Sequence, residues 1–162
     1  MPESYGFKTK WVFEDATPEA VYEGLYRLVD YPRWWPQFTK VDVIDQDTSD
    51  MTVHSVLPYD LTYRLIRKVA DPVGRRLEGR VDGDIRGTIR WEIGTDKKGR
   101  CVVHFRQSVS TRKWYMNLLA PIARPIFIWN HSKTMDHGRV GLQAFLAGYA
   151  LAKKEPGAYK FV

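Results

Sequence analysis

In RRLEGRVDGDIRGTIRWEIGTDKKGRCVVHFRQSVS, residues 75 to 110, apolar and polar side chains alternate with a period of two. Leu77, Gly79, Val81, Ile85, Gly87, Ile89, Trp91, Ile93, Val103, Phe105, Gln107 and Val109 fall on one side. Arg76, Glu78, Arg80, Arg86, Thr88, Arg90, Glu92, His104, Arg106 and Ser108 fall on the other. Successive strand side chains point to opposite faces, so this pattern describes a sheet with one face on the core and one in water. Asp82-Gly83-Asp84 and Thr95 to Gly99 divide it into three strands. Gly79 and Gly87 sit on the apolar face, where a missing side chain lets a sheet bend or a ligand approach; bending is the reading preferred here.

The same grammar extends upstream to Lys40. Turn signals at Asp47 to Asp50, Pro58-Tyr59-Asp60 and Asp71 to Gly74 predict six strands in all, at 41–46, 51–57, 61–70, 75–81, 85–93 and 101–110. Loops this short join antiparallel neighbours, since a parallel return needs a crossover of a dozen residues or more. The prediction is a meander. A further strand is predicted at Phe7 to Phe13, where Phe7, Thr9, Trp11 and Phe13 alternate with Lys8, Lys10 and Val12.

Thr17-Pro18-Glu19 supplies an N-cap, a proline at the first helical position and an early acid, predicting a helix from Pro18 to about Val29 with Val21, Leu25 and Leu28 on one side. Tyr31-Pro32 should end it, because the residue before a proline is pushed out of the helical region. Tyr31 to Phe38 then reads as an aromatic, proline-bounded turn. Beyond Arg112 the period becomes helical. Within 125–153, Phe127, His131, Met135, Gly138, Leu142, Phe145 and Tyr149 recur at spacings of three and four, the stripe of a long amphipathic helix facing the sheet. Pro156-Gly157 stops it, leaving 154–162 as a tail.

Length fits one domain over 1–162, and no linker, repeat or low-complexity stretch divides it. The one cysteine, Cys101, has no intramolecular disulfide partner, and no signal-peptide pattern opens the chain, so the expected setting is cytoplasmic. The longest apolar stretch, Met116 to Trp129, is broken by Pro121, Arg124 and Pro125 and is shorter than the ~20 residues a membrane span needs. Six tryptophans and nine tyrosines point to something large and flat being packed or bound.

Two motifs carry a resemblance. Ala16-Thr17-Pro18-Glu19-Ala20-Val21-Tyr22 leading into Tyr31-Pro32-Arg33-Trp34-Trp35-Pro36, and Trp129-Asn130-His131-Ser132-Lys133-Thr134-Met135, resemble the SRPBCC superfamily, the START-like or polyketide cyclase/dehydrase and lipid-transport group. The resemblance spans essentially the whole chain. It implies an α+β helix-grip fold: a seven-stranded curved antiparallel sheet wrapped around the long C-terminal helix, short helices after the first strand, and a cavity between helix and sheet. Relatives bind sterols, lipids, polyketides or plant hormones, only some are enzymes, and their catalytic residues differ, so none is carried over.

The expected partner is therefore a hydrophobic small molecule: a lipid, polyketide or aromatic metabolite. Candidate contacts are Trp34, Trp35, Tyr63, Trp91, Phe105, Gln107, Phe127, His131 and Met135. His131 is also the candidate proton relay of a cyclase or dehydratase, against the plainer reading of a hydrogen-bonded packing histidine. Trp34 and Trp35 either stack on a planar ligand or cap the core below the short helix. A buried Gln107 needs partners, which protein or ligand can supply. Asn130 should point away from this stripe. Arg67 is in phase with Leu61, Tyr63, Leu65 and Val69 and would face inward, unless a bulge near Ile66 turns it out; the bulge is the expectation.

Other chemistries find less support. His54, His104, His131 and His137 have no metal-ligand spacing, no cofactor motif is present, and no serine-histidine or cysteine-histidine pairing indicates a hydrolase. A formal charge of +6 permits acidic partners, and Arg64, Lys68, Arg76, Arg80, Arg86, Arg90 and Arg106 form a basic face against Glu78 and Glu92. A solvated sheet face explains them without nucleic acid, although a basic-surface interaction module stays open as a third reading. Arg112 to Ile126 reads as a gate, a transient membrane-resting surface or a connector.

Overall fold

The computed structural model describes residues 4–54, 60–111, 118 and 120–154. Strand β1 (Ser4–Phe13) leads to helix α1 (Pro18–Tyr26), a 3-10 turn (Leu28–Asp30) and the four-residue helix α2 (Tyr31–Trp34). Six strands follow: β2 (Phe38–Val43), β3 (Thr48–His54), β4 (Asp60–Asp71), β5 (Arg76–Gly83), β6 (Ile85–Thr95) and β7 (Cys101–Thr111). Helix α3 (Ala120–Lys154) closes the described chain. The seven strands form one antiparallel sheet in the order β1-β7-β6-β5-β4-β3-β2. The meander of β2 to β7 is as predicted, except that the first turn lies at 44–47 and Thr48 to Asp50, read as turn, open β3; β1 returns to pair with β7.

Several boundaries differ from the sequence reading. Helix α1 ends at Tyr26 rather than Val29, with Arg27 leaving helical geometry and its N–H bonding the Glu23 carbonyl. Pro32 does not terminate that helix; it lies in the first turn of the next, where an amide hydrogen would have no intrahelical partner anyway, and Tyr31 before it is helical. Helix α3 starts at Ala120 and carries Pro125 inside it, so most of the described part of the presumed connector is helix. Strand β2 begins earlier, at Phe38, and ends at Val43 because 44–47 form the hairpin turn, in which Asp45 Oδ1 accepts from the Asp47 N–H at 2.9 Å. The predicted strand end at 55–57, the Tyr149 side chain and residues 155–162 lie outside the described residues.

Thr17 caps α1 as its type requires, its hydroxyl accepting from the Ala20 N–H at 3.1 Å. Two of the sheet's irregularities lie on the strands that floor its concave side. A bulge interrupts the β4–β5 register between Arg67 and Val69. At Gly87, φ is +155°, and a Cβ would sit 1.9 Å from the Ser108 carbonyl oxygen, so this crossing with β7 excludes any side chain. The concavity faces α1, α2 and α3, and the core between them holds Phe13, Val21, Leu25, Met51, Val103 and Leu142, each at most 1% exposed.

Helix α3 docks closely against α2 because its surface there is glycine. A Cβ at Gly138 would lie 2.5 Å from the Trp35 indole, and one at Gly141 would lie 1.7 Å from the Trp34 carbonyl oxygen. The Trp35 indole N–H donates to the Thr134 carbonyl at 2.8 Å, tying α2 to the helix backbone. Toward the sheet, Trp35, Trp11 and Trp91 make a chain of rings with centroids 5.7 and 5.2 Å apart, continued by Phe105 at 4.3 Å from Trp91. Such rings bury about 150–250 Å² each, which makes this cluster a large share of the packing at that end.

Candidate functional site

Toward the start of α3 the packing opens. Between helix and concave sheet lies a cavity of about 190 Å³, measured as room for the centre of a water-sized sphere. One water needs roughly 10–15 Å³ on that measure, so the space is many times the room of a single water. Leu65, Val81, Ile89, Trp91 and Phe105 form its floor, Phe127, His131 and Met135 its roof, and Tyr31, Trp35 and Phe38 one side. The strand alternation explains the floor, and helical spacing explains the roof. The lining is overwhelmingly apolar, with polar groups gathered at two stations.

The first station is His131. Its ring stacks on Phe7 with centroids 3.8 Å apart and 12° between planes, and its Nε2–H donates to Gln107 Oε1 at 3.0 Å. Phe7 and Gln107 face one another across β1 and β7, so one turn of α3 touches both. Burial pulls the imidazole down to about 4, leaving it neutral at pH 7 with Nδ1 unprotonated. The sign of the consequence follows from the unfolded value of 6.5: between pH 6.5 and 4 the unfolded chain binds a proton that the folded chain refuses. Stability from this group is whole above pH 6.5 and is lost as pH falls toward 4, by about 3 kcal/mol in total. Urea denaturation at pH 7.5 and 4.5 should therefore show a smaller acid-induced loss for His131→Gln than for the parent; equal losses would mean that His131 is not held neutral.

The second station is Arg67. The bulge that the sequence suggested near Ile66 lies one step later, after Arg67, so the guanidinium stays on the concave side and lines the cavity. The expected outward turn is thus corrected: the irregularity falls on the wrong side of Arg67 to rotate it. Its NH2 group donates to the Tyr26 carbonyl at 2.7 Å and its NH1 group to the Gln46 carbonyl at 3.2 Å, while Cζ sits 4.1 Å from the centre of the Tyr26 ring. Among the described residues no carboxylate pairs with it. Tyr31 and Tyr63 stand nearby; burial holds both phenols above the usual tyrosine range, so they act as neutral hydrogen-bonding groups. The Tyr31 hydroxyl is already committed, donating to the Leu25 carbonyl at 2.7 Å.

Of the residues named from sequence, Trp35, Tyr63, Trp91, Phe105, Gln107, Phe127, His131 and Met135 all border this cavity. Trp34 does not: it is 4% exposed and stacked behind Trp35 at 5.2 Å, in the layer between α2 and α3. Asn130, placed elsewhere by an ideal helical wheel, reaches the lining beside His131, as does Thr134. The stripe of i, i+3 and i+4 positions is narrower than the arc a helix shows to a concave sheet, and that width could have been read from the fold.

The outer face offers less. Arg64 binds Asp50 through two hydrogen bonds of 2.8 and 3.0 Å, Arg90 reaches Glu78 at 3.0 Å and Glu92 at 2.7 Å, and Arg86 lies 3.5 Å from Asp82. Pairing of this kind contributes little stability, yet it neutralises much of the basic face. Among the described residues no three His, Cys, Asp or Glu side chains cluster in a way that could hold a metal. Cys101 is buried, and burial pushes its thiol up to about 11, which removes it as a nucleophile.

No family model and no curated protein matches the sequence. Solved structures do match in shape. The Zhui aromatase/cyclase of Streptomyces sp. R1128 superposes with a TM-score of 0.69 at 14% identity, over 99% of this chain and 100% of its own. A START superfamily protein from Mycobacterium smegmatis gives 0.66 at 12%, over 90% and 98%. Norcoclaurine synthase of Thalictrum flavum, solved with dopamine and hydroxybenzaldehyde, gives 0.55 at 13%, over 83% and 86%. At such identities the likeness establishes architecture alone: a helix-grip fold, with a curved antiparallel sheet around a long C-terminal helix.

Proposed function

We propose that this chain, acting as a single domain in the cytoplasm, binds and carries a hydrophobic small molecule with an acidic or enolic oxygen, such as a polyketide, an aromatic acid or a fatty acid. The carrying observation is the apolar cavity beneath α3 whose wall includes a guanidinium with no carboxylate partner among the described residues. A cation in such a wall is costly unless satisfied, and neutral carbonyls satisfy only part of it. An anionic or enolic oxygen would complete the set by a charge-assisted bond. The cyclase-type alternative, with His131 as proton relay, has weaker support. An imidazole held near 4 is a poor base at pH 7, its Nε2–H is engaged by an amide, and among the described residues no carboxylate orients it.

The test is occupancy. Native mass spectrometry of protein purified from its own host should show a non-covalent apolar adduct that denaturation releases. The emptied protein should take up anilinonaphthalene sulfonate, and Ile89→Trp, which fills the floor, should not. An adduct-free protein that also ignores the dye, or equal uptake by the filled variant, would sink the proposal.

A further inference from the structure

The outer face of α3 is short of charge for its length. A surface helix of a globular domain carries charged side chains on the side away from the core. Here Ile122 is 78% exposed, Ile126 51%, Trp129 51% and Val140 56%. Between Ile122 and Ala147 the exposed Lys, Arg, Asp and Glu residues are Lys133 and Asp136 alone. Arg124 and Arg139 are half-buried, Arg124 against the Tyr5 ring and Arg139 against Gln143. Ile122, Ile126, Trp129, Lys133, Asp136 and Val140 follow one another by four and three residues in alternation, and Gln143 and Ala147 continue the series. That is the 3.5-residue period that keeps the seam of one helix against another.

The order of side chains along this seam says what covers it. Large residues, Ile122, Ile126 and Trp129, occupy its first half; smaller Val140 and Ala147 lie in its second; Lys133 and Asp136 sit at the centre. Such a seam complements itself when turned end for end. In an antiparallel pair with Lys133 of one copy facing Asp136 of the other, Trp129 falls opposite Val140, Ile126 opposite Gln143 and Ile122 opposite Ala147. Two-fold symmetry makes each contact twice. A parallel pair would instead set Lys133 on Lys133 and Asp136 on Asp136. Among the described residues neither charge forms an ion pair within its own chain, although one helical turn separates them, so both are available to a partner. Polar residues at the centre of an apolar seam fix the register in which two helices meet. A partner surface of one sign, whether anionic lipid or a basic protein, would satisfy one of these charges and oppose the other.

We propose that α3 pairs with α3 of a second copy of this chain, antiparallel and centred between Lys133 and Asp136, to form a two-fold symmetric dimer. The seam points away from the cavity, so the dimer stands or falls separately from ligand binding. From Ile122 to Ala147 the contact runs about 37 Å at 1.5 Å per residue. An interface that small suits a micromolar dissociation constant, so sedimentation velocity over about 5 to 500 µM protein tests it. The parent should pass from monomer to dimer across that range. Lys133→Glu sets acid against acid twice per dimer and Asp136→Lys sets cation against cation twice, so each variant alone should dimerise about tenfold or more weakly. Mixed in equal amounts, the two variants should pair as tightly as the parent, because acid and base again face each other at both places. Ile126→Glu should weaken the dimer by a similar factor while leaving the thermal midpoint of dilute protein unchanged, since its side chain is exposed. Val43→Glu, an exposed apolar position on the edge strand β2, should dimerise like the parent, and so should Ile89→Trp, whose filled cavity separates the two proposals. A protein that stays monomeric throughout, whether or not it sediments with lipid vesicles, would overturn the proposal. So would single charge variants that dimerise like the parent, a mixture of them that fails to associate, or a dimer that Val43→Glu dissolves.

Discussion

Gly141→Ala is expected to lower the thermal midpoint by about 2–12 °C. An ideal Cβ at this position falls 1.7 Å from the Trp34 carbonyl oxygen and 2.9 Å from its carbon. Both atoms are backbone, so no rotamer change relieves the overlap; α2 and α3 must separate. Alanine would otherwise favour the helix by up to ~1 kcal/mol, so the sign of the measured change reports the contact alone. Overpacking of this type costs about 1–3 kcal/mol or more, and at this chain length each kcal/mol shifts the midpoint by about 2–4 °C. Separation would also move Trp35, whose ring lies against Gly138 and bonds Thr134, so ligand uptake should fall with stability. Gly6→Ala is the control, because a Cβ there meets no atom within 4 Å. Calorimetry of both variants decides the matter, and a Gly141→Ala protein as stable as the control would show that α2 does not rest on α3 at this point.

Arg67→Met should cost about 10- to 100-fold in affinity for an aromatic carboxylate while leaving a neutral analogue nearly unaffected. Hydrogen bonds to charged groups contribute about 1.5–3 kcal/mol, and methionine keeps the stem volume while removing the cation. Fluorescence titration with naphthoate and naphthamide separates charge recognition from shape. The parent should prefer the acid, and the variant should bind both alike at the level of the amide. A parent without preference between them would mean that Arg67 serves only to hold the Tyr26 and Gln46 carbonyls. In that case Arg67→Met should still lose stability, since two carbonyls forfeit their donor.

Local chemistry made most of the architecture legible. Strands β1 and β4 to β7 were visible as a two-residue alternation, because a sheet with one wet face imposes that period on its own sequence, whereas β2 and β3 were placed by the turn signals around them. The cap at Thr17 was visible for a similar reason: hydroxyl and amide lie three residues apart. The cavity residues of the roof and floor followed from these two periods. Pro32 misled, since the rule about the residue before proline says that a helix is disfavoured there and is silent on whether a new one can start.

What the sequence by itself determined is which residues share a face, a property of neighbours along the chain. What only the tertiary structure decided is where faces meet. The side of the sheet to which Arg67 belongs depends on whether the bulge comes before or after it, and that is settled by pairing with β5, where Arg67 faces Gly79. Which tryptophan reaches the cavity, and why Gly141 has no side chain, depend on α2 and α3 touching across more than a hundred residues. Backbone contacts of that kind leave no period in the sequence, because the steric exclusion that creates them acts between segments distant along the chain.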